Sequence, residues 1–450
     1  MCAACGVPTH VAVLEPAGSP TAGQGTGPDG TGQPAKFAAL RNPTCRVYLG
    51  GAALAMMADN IEHVITYWVL WQKFHSPALT GFEVISHWLP FLLLSPYFGG
   101  LADRYDCRKL IQASQVLFMA VSLTWGILFA TGTLTVWNAC VLLVLHGMAG
   151  ALWAPPEQLM LEDFVGPAEL PSAIRLNSTA RSLGVLCGPV VGSALLLGLG
   201  PERGIWVNIA FYLPLTILMA RTRFTGHTRG GVATPERVTL LAAIRVFRDV
   251  SRDRVLAVMI ALAGLGAFFI GAAMGTVMPS IAATTTGISA GTAYGVLLFA
   301  NGLGGVLGGL LLEGTGWIRL SVRAALWSTV VYGACTVFFV LSHDYLIAAA
   351  LLVIGGIANL AAMSITQTVV QLRAPSDRKG QVIGVYGVAA NGMRIGSGFT
   401  VGLLGAAVGL RPALGWSSAA LCACVAVLAA YLAVSARRGS APDAGLGAPS

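Results

Sequence analysis

The sequence predicts an all-α polytopic membrane protein, with twelve transmembrane helices in two pseudo-symmetric six-helix bundles. Three observations predict it. Of 450 residues, 55% are hydrophobic and 10% are charged, where a soluble domain carries about 25% charged residues. Twelve apolar runs approach the roughly 20 residues that a helix needs to cross a bilayer core. The second half also repeats the first at a constant offset of 209 residues.

Residues 1–37 are rich in Pro, Gly, Thr and Ala and read as a disordered cytoplasmic tail. They hold no basic stretch followed by an apolar one, so no secretory signal is expected. Spans follow at 46–72, 80–101, 109–131, 134–154, 174–199 and 203–221, giving a first bundle over 38–221. Residues 222–254 form a cytoplasmic linker. In it Thr234-Pro235-Glu236 reads as a helix start. Leu240, Ile244 and Phe247 then share one face, while Arg245, Arg248 and Arg252 share another, as in an interfacial helix or a solvated linker helix. Spans at 255–283, 289–312, 320–341, 345–370, 380–409 and 412–435 build the second bundle over 255–437. Residues 438–450 read as a second disordered tail.

The repeat is visible in several places. Gly99-Gly100-Leu101 matches Gly308-Gly309-Leu310, Gln158 matches Gln367, and Gly200 matches Gly409. Lys and Arg set the orientation. Lys73, Arg203 and Arg411 fall on one side and Arg181 and Arg394 inside spans, so the other 22 of 27 share the opposite side. That asymmetry places both termini in the cytoplasm. It also accounts for the net charge of +8 without a nucleic-acid partner. The nine cysteines form no metal-ligand pattern beyond Cys2-x-x-Cys5, so no metal site and no cofactor are expected.

Ionisable residues inside spans carry the functional reading, because charge in lipid costs at least about 2.5 kcal/mol on insertion scales. Asp59, Glu62 and His63 share one face of the first span, with Asp59 near its middle. They are candidates for proton coupling, or for a structural ion pair. Arg181 and Arg394 are candidates to neutralise those acids or to meet an anionic substrate. His87 and His146 are candidates for the substrate cavity, as are Tyr67, Trp68, Trp71, Trp88 and Phe91. Packing and interface anchoring are the alternatives for the aromatics, and hydrogen-bonded structure for the histidines. At the positions related to Asp59 and Glu62 by the repeat stand Phe268 and Gly271.

Two motifs add a resemblance. Gly99-Gly100-Leu101-Ala102-Asp103-Arg104, followed by Arg108-Lys109, resembles motif A of the major facilitator superfamily. Asp106 and Cys107 stand where a glycine and a base are usual. Gly184-x-x-x-Gly188-Pro189-x-x-Gly192 resembles motif C of the superfamily's exporters. The fourth span resembles the tail of motif B without the arginine expected near Leu143. The loops at 166–178 and 371–380 resemble the macrolide and siderophore exporter branch. The resemblance implies an inner-side gate of Gly99, Asp103, Arg104 and Arg108, with Asp103 meeting the chain near Lys379 and Gly380. It implies a monomeric secondary transporter of the plasma (bacterial inner) membrane, exporting an amphipathic drug-like natural product or siderophore against protons. An importer or uniporter of the same fold is the alternative; a receptor or an intramembrane enzyme is more remote. No nucleotide-binding loop is present, and no nucleophile and base converge, so neither ATP use nor catalysis is expected.

Overall fold

The computed structural model describes residues 36–228, 240–282, 289–315 and 320–439. The expected tails at 1–35 and 440–450, the Cys2–Cys5 pair and the Thr234-Pro235-Glu236 helix start lie outside those residues. Among the described residues every regular element is helical.

Local chemistry starts each helix. α1 (Pro43–Phe74) begins where the Asn42 side chain accepts from the Thr44 and Cys45 amides, with proline at the first position. Ser76 caps α2 (Pro77–Arg104), and Asp106 caps α3 (Cys107–Thr131). A reciprocal Thr135–Asn138 capping box opens α4 (Val136–Val165). α5 (Leu170–Arg221) holds two spans joined at Gly200. α6 (Leu240–Arg252) is the linker helix. The second bundle comprises α7 (Arg254–Phe269), α8 (Ala273–Ala282), α9 (Ala290–Thr315), α10 (Val322–Leu341), α11 (Tyr345–Arg373), α12 (Lys379–Gly387), α13 (Arg394–Val408) and α14 (Leu410–Gly439).

Nine described helices are long and apolar enough to cross a membrane, and α5 crosses twice. The remaining spans are α1, which carries the acids, and the broken pair α12 and α13. The repeat appears in the backbone. Gly200 has φ 80° and Gly409 has φ 91°, so each makes the same left-handed corner, which a side chain would strain.

Two spans expected to be continuous are interrupted. The seventh breaks between Phe269 and Ala273, where the Ser397 hydroxyl accepts from the Ala272 and Ala273 amides at 2.8 and 3.3 Å. Freed backbone groups at membrane depth need such partners. The eleventh contains a π turn over Val388–Gly392. The linker helix also differs from expectation. Among its described side chains Val246 and Val250 are buried and join the core of the second bundle, while Phe247 is 42% exposed. Its apolar face is therefore packed on protein at these positions; the Leu240 and Ile244 side chains lie outside the described ones.

Each bundle has its own apolar core. Large apolar side chains such as Leu197, Leu403 and Val190 point outward, at 87%, 73% and 70% exposure, as a lipid-facing surface requires. The bundles meet along two glycine-lined seams. On one, Gly99, Gly384 and Gly392 face Gly380, Ser95 and Leu92; on the other, Gly302 and Gly305 face Leu186 and Ser182.

Candidate functional site

The fold brings a buried charged cluster together inside the first bundle. His146 of α4 lies between the two acids of α1, with Nε2 2.8 Å from Asp59 and Nδ1 2.9 Å from Glu62. Ser122 of α3 donates a short hydrogen bond to the second Glu62 oxygen. Glu62 is 2% exposed, His146 4% and Asp59 9%. Both ring nitrogens of His146 face carboxylate oxygens, and both can donate only when the ring is an imidazolium.

The glycines of α5 explain how α1 comes so close. A Cβ on Gly184 would lie 2.6 Å from the Ala53 carbonyl oxygen, and one on Gly192 would lie 3.2 Å from the Ile61 Cα. A Cβ on Gly188 would run into the Asn60 side chain. The three glycines thus form a groove for the α1 turns that carry Asp59 and Glu62. Asn208 on the second arm of α5 donates to the Ala58 carbonyl at 2.9 Å and fixes the same turn.

Around this cluster sit two more histidines. His63 Nδ1 lies 3.8 Å from Asp59, and its ring meets those of His87, His146 and Tyr67 edge-on at 4.8–5.1 Å. His87 Nδ1 is buried without a hydrogen-bond partner. Donor atoms of Asp59, His63, His87 and His146 all lie within 4.8 Å of one another, the composition of a metal site that the sequence did not suggest. Here His146 is committed to the two carboxylates instead.

The expected basic partners of the acids are elsewhere. Arg181 pairs with Glu157 of α4 at 3.0 Å and stacks over Trp153 at 4.9 Å. Arg394 lies in the second bundle, 4.6 Å over the ring of Trp88. Trp88 in turn stands edge-on to His87 at 4.5 Å. Phe91 packs against Trp88, whereas Trp68 and Trp71 are 53% and 46% exposed and take no part. His146, taken from sequence as a cavity candidate, is the residue that joins the two acids.

A second set of contacts crosses between the bundles at the end that carries the α2–α3 turn, called here the linker face. Asp103 accepts from the Gly380 and Gln381 amides at 2.5 and 2.9 Å, at the N-terminus of α12. Two free amides and the positive end of a helix dipole favour an ionised carboxylate there, against the cost of its burial. Gly99 touches the Gly380 carbonyl with no room for a Cβ. Lys379 Nζ lies 2.6 Å from Glu162. Glu313 of α9 receives Arg175 at 2.6 Å, the Ser172 hydroxyl, and the Phe37 amide at 2.9 Å. Arg104 and Arg108 do not cross. Arg104 stacks over Tyr105, and Arg108 binds Asp106 and the Thr222 carbonyl within the first bundle. Asp106 lies outside the spans; partial burial works against its charge, but Arg108 outweighs that and holds its carboxyl below the usual range.

Glu157, Glu162 and Glu313 were missed in the sequence. Their signal was an acid within or at the end of an apolar run, as in Leu310-Leu311-Leu312-Glu313.

Comparison with known proteins agrees with this architecture. The chain is 30% identical over 121 residues to the putative multidrug resistance protein MdtD of Salmonella paratyphi B, covering 27% of this chain and 25% of that protein. It spans no more than about a third of the length of the curated relatives it matches. The Escherichia coli fucose:proton symporter FucP superposes with a TM-score of 0.67 at 13% identity, over 86% of this chain and 98% of that one. A bacterial homologue of the iron transporter ferroportin gives 0.65 at 15% identity, over 87% and 99%. Both likenesses concern the fold alone. The model of the family described as transmembrane secretion effector matches residues 34–443, so this chain belongs to that family of major facilitator superfamily transporters.

Proposed function

We propose that the protein is a proton-coupled exporter of an amphipathic small molecule, working by alternating access between its two bundles in the plasma (bacterial inner) membrane. The observation that carries this is the Asp59–His146–Glu62 cluster, buried at the centre of one bundle with no counterpart at Phe268 and Gly271. When both nitrogens of His146 donate, the cluster holds a proton between two carboxylates. Removing that proton leaves two acids competing for one N–H in a medium of low dielectric, which is costly. Release is then favoured only when the cluster meets water. That dependence on access is what couples a proton to a conformational cycle.

The base asymmetry puts the linker face in the cytoplasm. Asp103, Lys379 and Glu313 then act as a cytoplasmic gate, and their contacts between the bundles support its closed state. Motif C and the similarity to a putative multidrug resistance protein support export over import. The test is proton uptake by inverted vesicles on adding a panel of amphipathic compounds. Asp59→Asn should keep binding and lose gradient-driven accumulation. Wild-type accumulation in that variant removes the coupling assignment.

A further inference from the structure

The second bundle holds a partly open cavity of about 150 Å³ lined by Arg394, Asn301, Asn359, Tyr332 and Thr366 on its polar side and by Met274 and Met363 on its apolar side. That is room for about five waters, at roughly 30 Å³ each, or for the head of a larger amphipathic molecule. Arg394 is unusual among the bases near the bundle interface. Arg175, Arg181 and Lys379 each lie within 3.0 Å of a glutamate oxygen. Among the described residues Arg394 makes no ion pair. Its hydrogen bond is from Nε to the Ala390 carbonyl at 3.3 Å, and among the described residues its terminal nitrogens make none. An unpaired guanidinium at membrane depth is expensive unless water or an anion meets it.

The surrounding backbone is shaped to place that guanidinium. Arg394 follows directly on the π turn at Val388–Gly392 and Met393. A Cβ on Gly271 would lie 2.9 Å from the Arg394 Cγ, so the glycine clears its path. Gly271 is the repeat-related position of Glu62. Where one bundle holds an acid, the other admits a base from a neighbouring helix. The face of Trp88 then covers one side of the guanidinium at 4.6 Å.

We propose that Arg394 and this cavity form a carboxylate-recognition subsite, so that the transported molecule is an amphipathic organic acid. The planar fork of arginine matches a carboxylate with two parallel hydrogen bonds. Asn301, Asn359 and Tyr332 line the same cavity and offer further donors to an anion held there. Met274 and Met363, with Leu262 beside them, accept an aromatic or aliphatic body. This names the substrate class of the exporter proposed above, and rests on that reading for the site's role in transport; anion binding itself does not depend on proton coupling.

The test uses the full-length protein in lipid nanodiscs with dansylglycine, a fluorescent amphipathic carboxylate, and its uncharged amide. Energy transfer from tryptophan reports binding. Charge-assisted hydrogen bonds predict that the acid binds about tenfold or more tighter than the amide. Arg394→Gln should abolish that preference while leaving amide binding intact, which also shows that the variant is folded. Arg394→Lys should restore part of the preference. Equal binding of acid and amide to wild type overturns the proposal, as does an undiminished preference in Arg394→Gln. Tighter binding of the sulfonate dansyltaurine overturns the assignment to a carboxylate. Proton uptake by inverted vesicles, driven by either probe, is scored separately. Uptake without an acid preference removes the subsite and leaves the exporter. An Arg394-dependent preference without uptake for either probe keeps the subsite and removes the coupling.

Discussion

Replacing Asp103 with asparagine should unlock the linker face. The carboxylate accepts two backbone amides of α12, at 2.5 and 2.9 Å. A hydrogen bond to a charged group contributes about 1.5–3 kcal/mol, and a charge at a helix N-terminus adds about 0.3–1 kcal/mol. Asparagine keeps one acceptor oxygen, but its NH2 group turns a donor toward the second amide. One charged bond and the dipole term are lost, so the closed state weakens by about 2–4 kcal/mol. At 1.4 kcal/mol per tenfold, the ratio of closed to open molecules falls roughly 30- to 700-fold. Exposed Lys109 and Ser376 lie on opposite sides of this contact and can carry spin labels on a background with the native cysteines replaced. Pulsed dipolar spectroscopy should show a new, longer distance population in Asp103→Asn, and transport should fall sharply at normal expression. A wild-type distance distribution with wild-type turnover would refute the gate.

Four further outcomes are expected. Lys379→Gln should open the same face more weakly, by about 1 kcal/mol, because the Lys379–Glu162 pair is partly solvated; the same spin-label pair reads it. Gly188→Val should drive α1 from its groove and lower thermal stability by about 1–3 kcal/mol, whereas Gly198→Ala, which faces open space, should be silent in the same melts. Arg181→Gln should destabilise by about 1–3 kcal/mol, since it strands the buried Glu157; adding Glu157→Gln should recover most of the loss. Asp106 has a folded-state carboxyl held low by Arg108, so its contribution is present above the ordinary carboxylate range and lost as pH falls below it. The advantage of wild type over Asp106→Asn in thermal unfolding should therefore persist from pH 7 to pH 5 and fade in stronger acid.

Much of this protein was legible in its sequence, for reasons particular to lipid. A bilayer leaves backbone groups no partner but their own helix, so an apolar run of sufficient length fixes both the element and its direction. The repeat offset predicted matching corners, and Gly200 and Gly409 make them with the same positive φ. Helical periodicity put Asp59 and Glu62 on one face. It could not say what that face meets. His146 lies 84 positions beyond Glu62, and as a lone histidine it carried no mark of its partners. Arg181, the more obvious counter-ion by charge, turned to Glu157 instead. The rotation of α1 was decided by the glycine groove on α5, and the choice among charges by which helix then lay within 3 Å. The break at Phe269–Ala273 likewise depends on Ser397 arriving from a neighbouring helix. Sequence sets the face a helix presents, because its period is intrinsic. Only packing decides the neighbour that face meets, because that depends on the shapes of several helices at once.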